Sequence, residues 1–190
     1  INANTIELKN SVTRQYDIPD GKVQLIRVPF FQNATVTNTL SCLPWDGSKG
    51  GVAVVYVADT LTLNADINVT GKGFRGGSGF NSQIPALNCF NNNFYYPQSD
   101  IVIAGQKGEG IAHVSSLRNY GKGNVANGGG GGLGHNSGGG GGSNASNGGF
   151  GGYQLNHCGN APFDNRGIGG VPLSYTNTAN KIFMGGGGGA

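Results

Sequence analysis

The sequence predicts an all-β chain that passes into a bundle of glycine rods. Short strands would form a β-helix-like or sandwich core, and polyglycine-II-type packing would follow it. Three observations carry this. Runs of five glycines occur at Gly128, Gly129, Gly130, Gly131 and Gly132, at Gly138, Gly139, Gly140, Gly141 and Gly142, and at 185–189. Short Val/Ile/Leu/Thr-rich runs broken by Asn, Asp and Gly fill the first third of the chain, the pattern of strands with turn breakers. No window carries a 3.6-residue apolar stripe with caps.

The strand candidates come first. Residues 23–31 (VQLIRVPFF), 34–40, 52–57, 61–63 and 67–69 are the early runs. Thr35, Thr37 and Thr39 alternate with Ala34, Val36 and Asn38, as in a half-buried strand. The apolar run 52–57 reads as a strand covered on both faces. Pro29 places its segment at a strand end or edge. Residues 101–104 and 111–114 are later candidates. Residues 78–98 are loop-like yet rich in aromatics, which suits an ordered insertion lying on the core. One compact unit results, with a β-rich part at 1–77 holding the core, an aromatic-rich insertion with further strands at 78–120, and a glycine-rich region at 121–190.

Glycine runs usually make flexible linkers. Here 17 of the 32 residues from 121 to 152 are glycine, but Leu133 and Phe150 lie among them and Lys122 is the one charge. A solvated linker carries more charge and fewer aromatics. The inserts 133–137 and 143–147 are rich in Asn and Ser, which favour turns. The runs therefore read as rods that reverse direction. An extended threefold helix rises about 3.1 Å per residue, so five residues span about 15 Å. Glycine keeps its N–H, so neighbouring rods can bond sideways. Collagen is excluded because the strict Gly-X-Y period is absent.

Composition narrows the function. Only 11% of the 190 residues are charged, with a formal net charge of +3. No Lys/Arg cluster with interleaved aromatics marks a nucleic-acid surface. No apolar stretch is long enough to span a membrane, and no signal-peptide pattern stands at Ile1. Ending directly after a glycine run suggests a piece of a longer protein. Cys42, Cys89 and Cys158 are an odd count at wide spacing, open to one disulfide or to three reduced thiols.

Chemistry-bearing patterns are sparse. His113, His135 and His157 recur every 22 residues, but compact metal sites use shorter spacings and paired ligands. The His157–Cys158 neighbours make a poor nucleophile pair. Asp46, Asp59 and Asp66 match no calcium loop and suit turns. The segment 71–77 (GKGFRGG) lacks the Lys-Ser/Thr order of a phosphate loop and reads as a tight turn with Phe74 as a plug. Arg75 is placed to clamp carbonyls at rod ends, and Trp45 to cap the strand core. No cofactor is expected.

The succession from 23 to 77 resembles the glycine-rich module of large cell-surface proteins of Bacteroidota. The matching pieces are IRVP at 26–29, WDGSKGG at 45–51 and LTLNADINVTGKGFRGG at 61–77, followed by the glycine runs. The insertion at 78–98 and the stretch 153–184 depart from that pattern. Such modules occur in proteins similar to gliding-motility adhesins exported by the type IX secretion system. The resemblance implies a secreted, surface-displayed, non-catalytic structural or adhesive module of a fibre. Its partners would be secretion and surface-anchoring machinery, a glycan or solid surface, and other modules of the same long chain. It also implies an O-glycosylation acceptor at Asp59–Thr60–Leu61, with Thr60 modified; a plain strand start is the other reading. The acceptor triplets at Asn33, Asn68 and Asn144 carry little weight in a bacterium.

Within that expectation Phe90, Phe94, Tyr95 and Tyr96 form the contact surface, or else seal the core beneath their loop. Other readings remain open. A phage tail-tip receptor-binding adhesin would use glycine rods with variable loops. An ice-binding protein needs ranks of Thr or Ala, and Thr35, Thr37 and Thr39 form one short rank. A polysaccharide lyase on a β-helix needs clustered acids and bases, whereas the nine Asp/Glu are scattered.

Overall fold

The computed structural model describes residues 5, 7–11, 15–16, 21–79, 93–100, 103–133, 136–154, 164–173 and 183–190. Among them there is no α-helix. Regular structure is limited to β1 (Phe30–Phe31), β2 (Ala34–Val36), β3 (Tyr56–Val57), β4 (Leu61–Leu63) and a 3-10 turn, η1 (Gln98–Asp100). Everything else is held by hydrogen bonds between irregular or extended segments.

The strands pair in parallel, at an offset of 26 residues in the first pair and 27 in the second. Phe30 faces Tyr56, Ala34 faces Leu61, and Leu40 faces Ile67 in an isolated bridge. Outside the strands the same register continues: Trp45 N–H donates to the Lys72 carbonyl at 2.9 Å, and Gln24 exchanges two side-chain bonds with the Gly50 backbone. Two successive stretches of chain, 24–45 and 50–72, thus lie side by side as rungs. Like stacks on like: Thr35 lies over Thr62, and the Phe30 and Tyr56 rings stack at 5.1 Å. Phe31 instead faces Val57, and Ala34 faces Leu61; cross-strand pairs of this kind stabilise the ladder.

The strands are shorter than the sequence predicts. The run 23–31 yields only β1, 52–57 only β3, and 67–69 a single bridge at Ile67. Residues 52–57 are not covered on both faces, because Ala53 and Tyr56 are exposed. No strand forms at 111–114, and Ala104 makes only a bridge to Leu133. The reason is that each rung has one ladder partner, so only a few positions meet regular pairing geometry.

The core also lies elsewhere than expected. Tyr96, Ala104, Tyr120 and Leu133 form the buried apolar cluster, with Ile103 packed against it. In 1–77 the apolar residues stay largely exposed, Leu25, Phe30, Leu43 and Leu63 among them. Among the described residues the two stacked rungs have no opposing layer, which leaves those side chains at the surface.

The glycine runs bond sideways to one another and to their neighbours. Successive residues of 128–133 donate to three different neighbours in turn. Gly129 and Gly132 donate to Gly187 and Ala190 at 2.9 and 2.6 Å, and Gly130 and Leu133 to Ile168 and Asn165 at 2.8 and 3.0 Å. Gly131 donates to Gly121 at 3.0 Å. Every third residue therefore returns to the same partner, as in a threefold extended helix. The same run accepts bonds from Gly105 and Gly108 on one side and Gly140 on another. Among described glycines positive φ is confined to Gly47, Gly50, Gly51, Gly71 and Gly121, none of them within a five-glycine run.

Close approach explains the composition. A Cβ built at Gly129, Gly130, Gly131 or Gly132 would meet a backbone carbonyl far inside 3.0 Å. The same holds at Gly140, Gly142, Gly186, Gly187 and Gly189. At Gly149 and Gly152 nothing lies within 4 Å, so the segment 148–152 is an outer rod. Its inward residues, Gly148 and Gly151, donate to Gly170 and Gly167.

Two asparagines are sealed among the rods. Asn127 Oδ1 accepts from the Ile111 N–H at 2.8 Å, and its Nδ2 donates to the Met184 carbonyl at 2.9 Å. Asn165 is equally buried, yet its side-chain amide has no partner among the described residues.

Candidate functional site

The expected contact residues separate into two groups. Phe90 lies outside the described residues. Phe94 and Tyr95 are exposed, while Tyr96 is 6% exposed and belongs to the core cluster. The separation goes with different backbone partners. Tyr96 bridges Tyr120 through N–H···O bonds of 3.0 and 3.2 Å, which turns its ring inward. Gly123 N–H and the Lys107 ammonium bind the Phe94 carbonyl, which fixes the backbone and leaves the ring at the surface.

Each exposed ring is braced by a cation. The Arg118 guanidinium lies 5.0 Å from the centre of Tyr95, and the Lys122 ammonium 5.1 Å from that of Phe94. Lys122 also donates to the Asp164 carbonyl at 2.8 Å. Asp164 holds Arg166 through Nε at 2.9 Å and Nη2 at 2.7 Å. Arg166 in turn lies over Tyr153 at 3.7 Å and Phe150 at 4.9 Å. Three exposed rings are thus joined in one chain of contacts, Phe94 across Lys122, Asp164 and Arg166 to Tyr153 and Phe150, while Tyr95, next to Phe94 in sequence, is braced by Arg118.

The glycine rods create this arrangement. Ile168 N–H bonds to the Lys122 carbonyl, and Gly151 N–H to Gly167, so 121–125, 164–171 and 148–153 lie side by side. Phe150 and Tyr153 are three residues apart, hence on one edge of a threefold rod. Cation–π contacts of this kind hold a ring in place while leaving its outer face open.

Electrostatics follow from burial. Desolvation pushes the Lys107 ammonium down to about 8, with Arg118 adding repulsion. Desolvation also lowers Lys122, opposed by Asp164. The Arg166 hydrogen bond is the main cause of a lowered Asp164.

A second cluster joins the rungs to the rods. Trp45 Nε1 donates to Glu109 Oε2 at 2.8 Å, and the Arg75 N–H shares that oxygen at 2.9 Å. Arg75 Nε and Nη2 grip Oε1 at 3.0 and 2.5 Å. Phe74 meets Trp45 edge-on at 5.2 Å. Arg75 binds this carboxylate rather than rod-end carbonyls, because Glu109 brings a full negative charge to the same place.

Thr60 is exposed at the start of β4, its N–H bonded to Asn33 Oδ1 at 3.1 Å. Cys42 is a free thiol, whereas Cys89 and Cys158 lie outside the described residues. His113 is exposed; His135 and His157 also lie outside. Among the described residues no group of three His, Cys, Asp or Glu could hold a metal ion, and no helix is long and apolar enough to cross a membrane. Along the rungs, an open groove of about 760 Å³ is lined by Leu25, Ile26, Leu40, Leu43 and Val54 among others.

The ring strip was half legible in sequence. Phe94 and Tyr95 stand out in an aromatic cluster, but Phe150 and Tyr153 are lone aromatics in glycine-rich sequence. Their three-residue spacing in a rod-forming stretch is the signal that could have found them. No family model, no curated protein and no solved structure matches the chain.

Proposed function

We propose that this chain is a non-catalytic adhesive module of a secreted cell-surface fibre. On this reading the two rungs are the end of a β-helix-like stem, and the rods are a polyglycine-II-type bundle that stiffens the module. The observation that carries it is the lateral bonding of the five-glycine runs, with exposed rings held on their flank. A rigid platform presenting ordered aromatic side chains binds without a large ordering cost. The likeness of 23–77 to gliding-motility adhesins of Bacteroidota supports export by the type IX route and display outside the outer membrane, with Thr60 as an O-glycosylation acceptor. Partners of the module would be anchoring machinery, further modules of a longer chain, and a glycan or solid surface.

The test couples the purified chain to micrometre beads and measures their retention under flow on glass, on polystyrene and on polysaccharide-coated glass. Retention above that of albumin-coated beads is expected on at least one surface. Retention no better than albumin on all three overturns the adhesive reading.

A further inference from the structure

The ring strip has a charge that its composition alone does not advertise. Lys107, Arg118, Lys122 and Arg166 gather along it, and among the described contacts Asp164 is the carboxylate that meets them. Arg118 is exposed, and Arg166 keeps part of its guanidinium at the surface; Lys107 and Lys122 are buried and act through their field. The rings themselves are 55% (Tyr95), 56% (Phe94), 70% (Tyr153) and 61% (Phe150) exposed. Large apolar faces kept open on a rigid surface mark an interaction site.

We propose that this strip binds an anionic polysaccharide, deepening the adhesive reading on which the proposal rests. Ring faces offer flat apolar patches to the C–H faces of successive sugars. Arg118 offers a planar donor to carboxylate or sulfate groups, and Arg166, held by Asp164, adds positive charge beside it. Spaced rings along a bundle edge suit a repeating polymer better than a compact ligand. Single-stranded nucleic acid also stacks on aromatics, but it is held in a strongly basic groove. Here only Arg118 and Arg166 reach the surface, and Arg166 is already gripped by Asp164.

The experiment titrates the whole chain with hexamers of galacturonic acid, with sulfated chondroitin hexasaccharide, with neutral maltohexaose, and with oligothymidylate and polyglutamate as ring-poor or non-sugar anions. Binding is followed by calorimetry and by amide NMR. At least one anionic sugar should bind ten-fold or more tightly than maltohexaose and than polyglutamate. Tyr153→Ala and Phe94→Ala should each weaken it at least five-fold while glycine amide protection is retained. Arg118→Gln should weaken the anionic sugar and leave maltohexaose unchanged. Equal binding of maltohexaose, preference for polyglutamate or oligothymidylate, or undiminished binding by both ring variants overturns the proposal. Beads that hold to glass or polystyrene while no sugar binds would sink the ligand class and leave the adhesive reading standing.

Discussion

Trp45 and Glu109, 64 residues apart, meet through a 2.8 Å hydrogen bond that joins the rungs to the rods. Burial pushes the Glu109 carboxyl up, but the Arg75 hydrogen bonds and charge with the Trp45 bond outweigh this and hold it below its ordinary value. A carboxylate with a depressed pKa in the folded state contributes stability that is full above its unfolded value and lost as pH falls through the folded one. Acidification below the ordinary glutamate value, about 4.3, should therefore release the junction. Trp45 is the sole tryptophan, so its emission reports this directly. Glu109→Gln should shift that emission at pH 7 and abolish its acid transition; an unchanged acid transition would show that another group controls it.

Glycine positions should divide by rod face. Gly140→Ala puts a methyl against the backbone of 167–168, whereas Gly152→Ala points into open space. Overpacking of this kind costs about 1–3 kcal/mol, and more where backbone must move. The exposed change should stay within about 0.5 kcal/mol. Urea unfolding of the two variants checks this, and equal losses would contradict the packing.

The two sealed asparagines should respond in opposite ways. Asn127→Leu strands the Ile111 N–H and the Met184 carbonyl and should cost about 1–3 kcal/mol per orphaned group. Asn165→Leu removes a side chain that has no partner among the described residues, so it should be neutral or stabilising. Thermal unfolding of both variants distinguishes them.

Alkaline conditions should tighten the fold near Lys107. Its folded pKa is lowered to about 8, so between that value and the unfolded one, about 10.4, the unfolded chain binds the extra proton. Stability then rises with pH across this window. Urea midpoints at pH 7.5 and 9.5 should show the rise, and Lys107→Met should remove it.

Amide exchange across 121–152 should be slow in the runs 128–132 and 138–142, since eight of the ten N–H groups there donate to a backbone carbonyl, seven of them on another segment. Protection should be strongest at Gly130 and Gly131, whose carbonyl partners Ile168 and Gly121 lie on different neighbours. Random-coil rates would make the runs linkers.

Much of this was legible in residue order, and for definite reasons. Five consecutive glycines with aromatics and almost no charge around them point to backbone-only packing. The run at 61–63 became β4 with the same bounds. Residues 30–31 and 34–36 fell within their predicted strands, because β-branched and aromatic side chains favour an extended backbone wherever they land. What local preference could not tell is strand length, since that depends on how many neighbours a rung finds.

The sequence by itself determined where side chains are forbidden: the glycine runs mark the positions at which rods touch, because a Cβ cannot be accommodated between two bonded backbones. It also pointed, through the absence of any helical stripe, to the lack of α-helix among the described residues. Only the tertiary structure decided which rod bonds to which, that the apolar core of the described residues lies at Tyr96, Ala104, Tyr120 and Leu133 rather than in the rungs, and that Phe94 is linked through Lys122, Asp164 and Arg166 to Phe150 and Tyr153. Glycine carries no side chain to specify a partner. The pairing of rods is therefore set by the few residues between them, Asn127, Lys122 and Asp164 among them, acting over distances in sequence that no local pattern records.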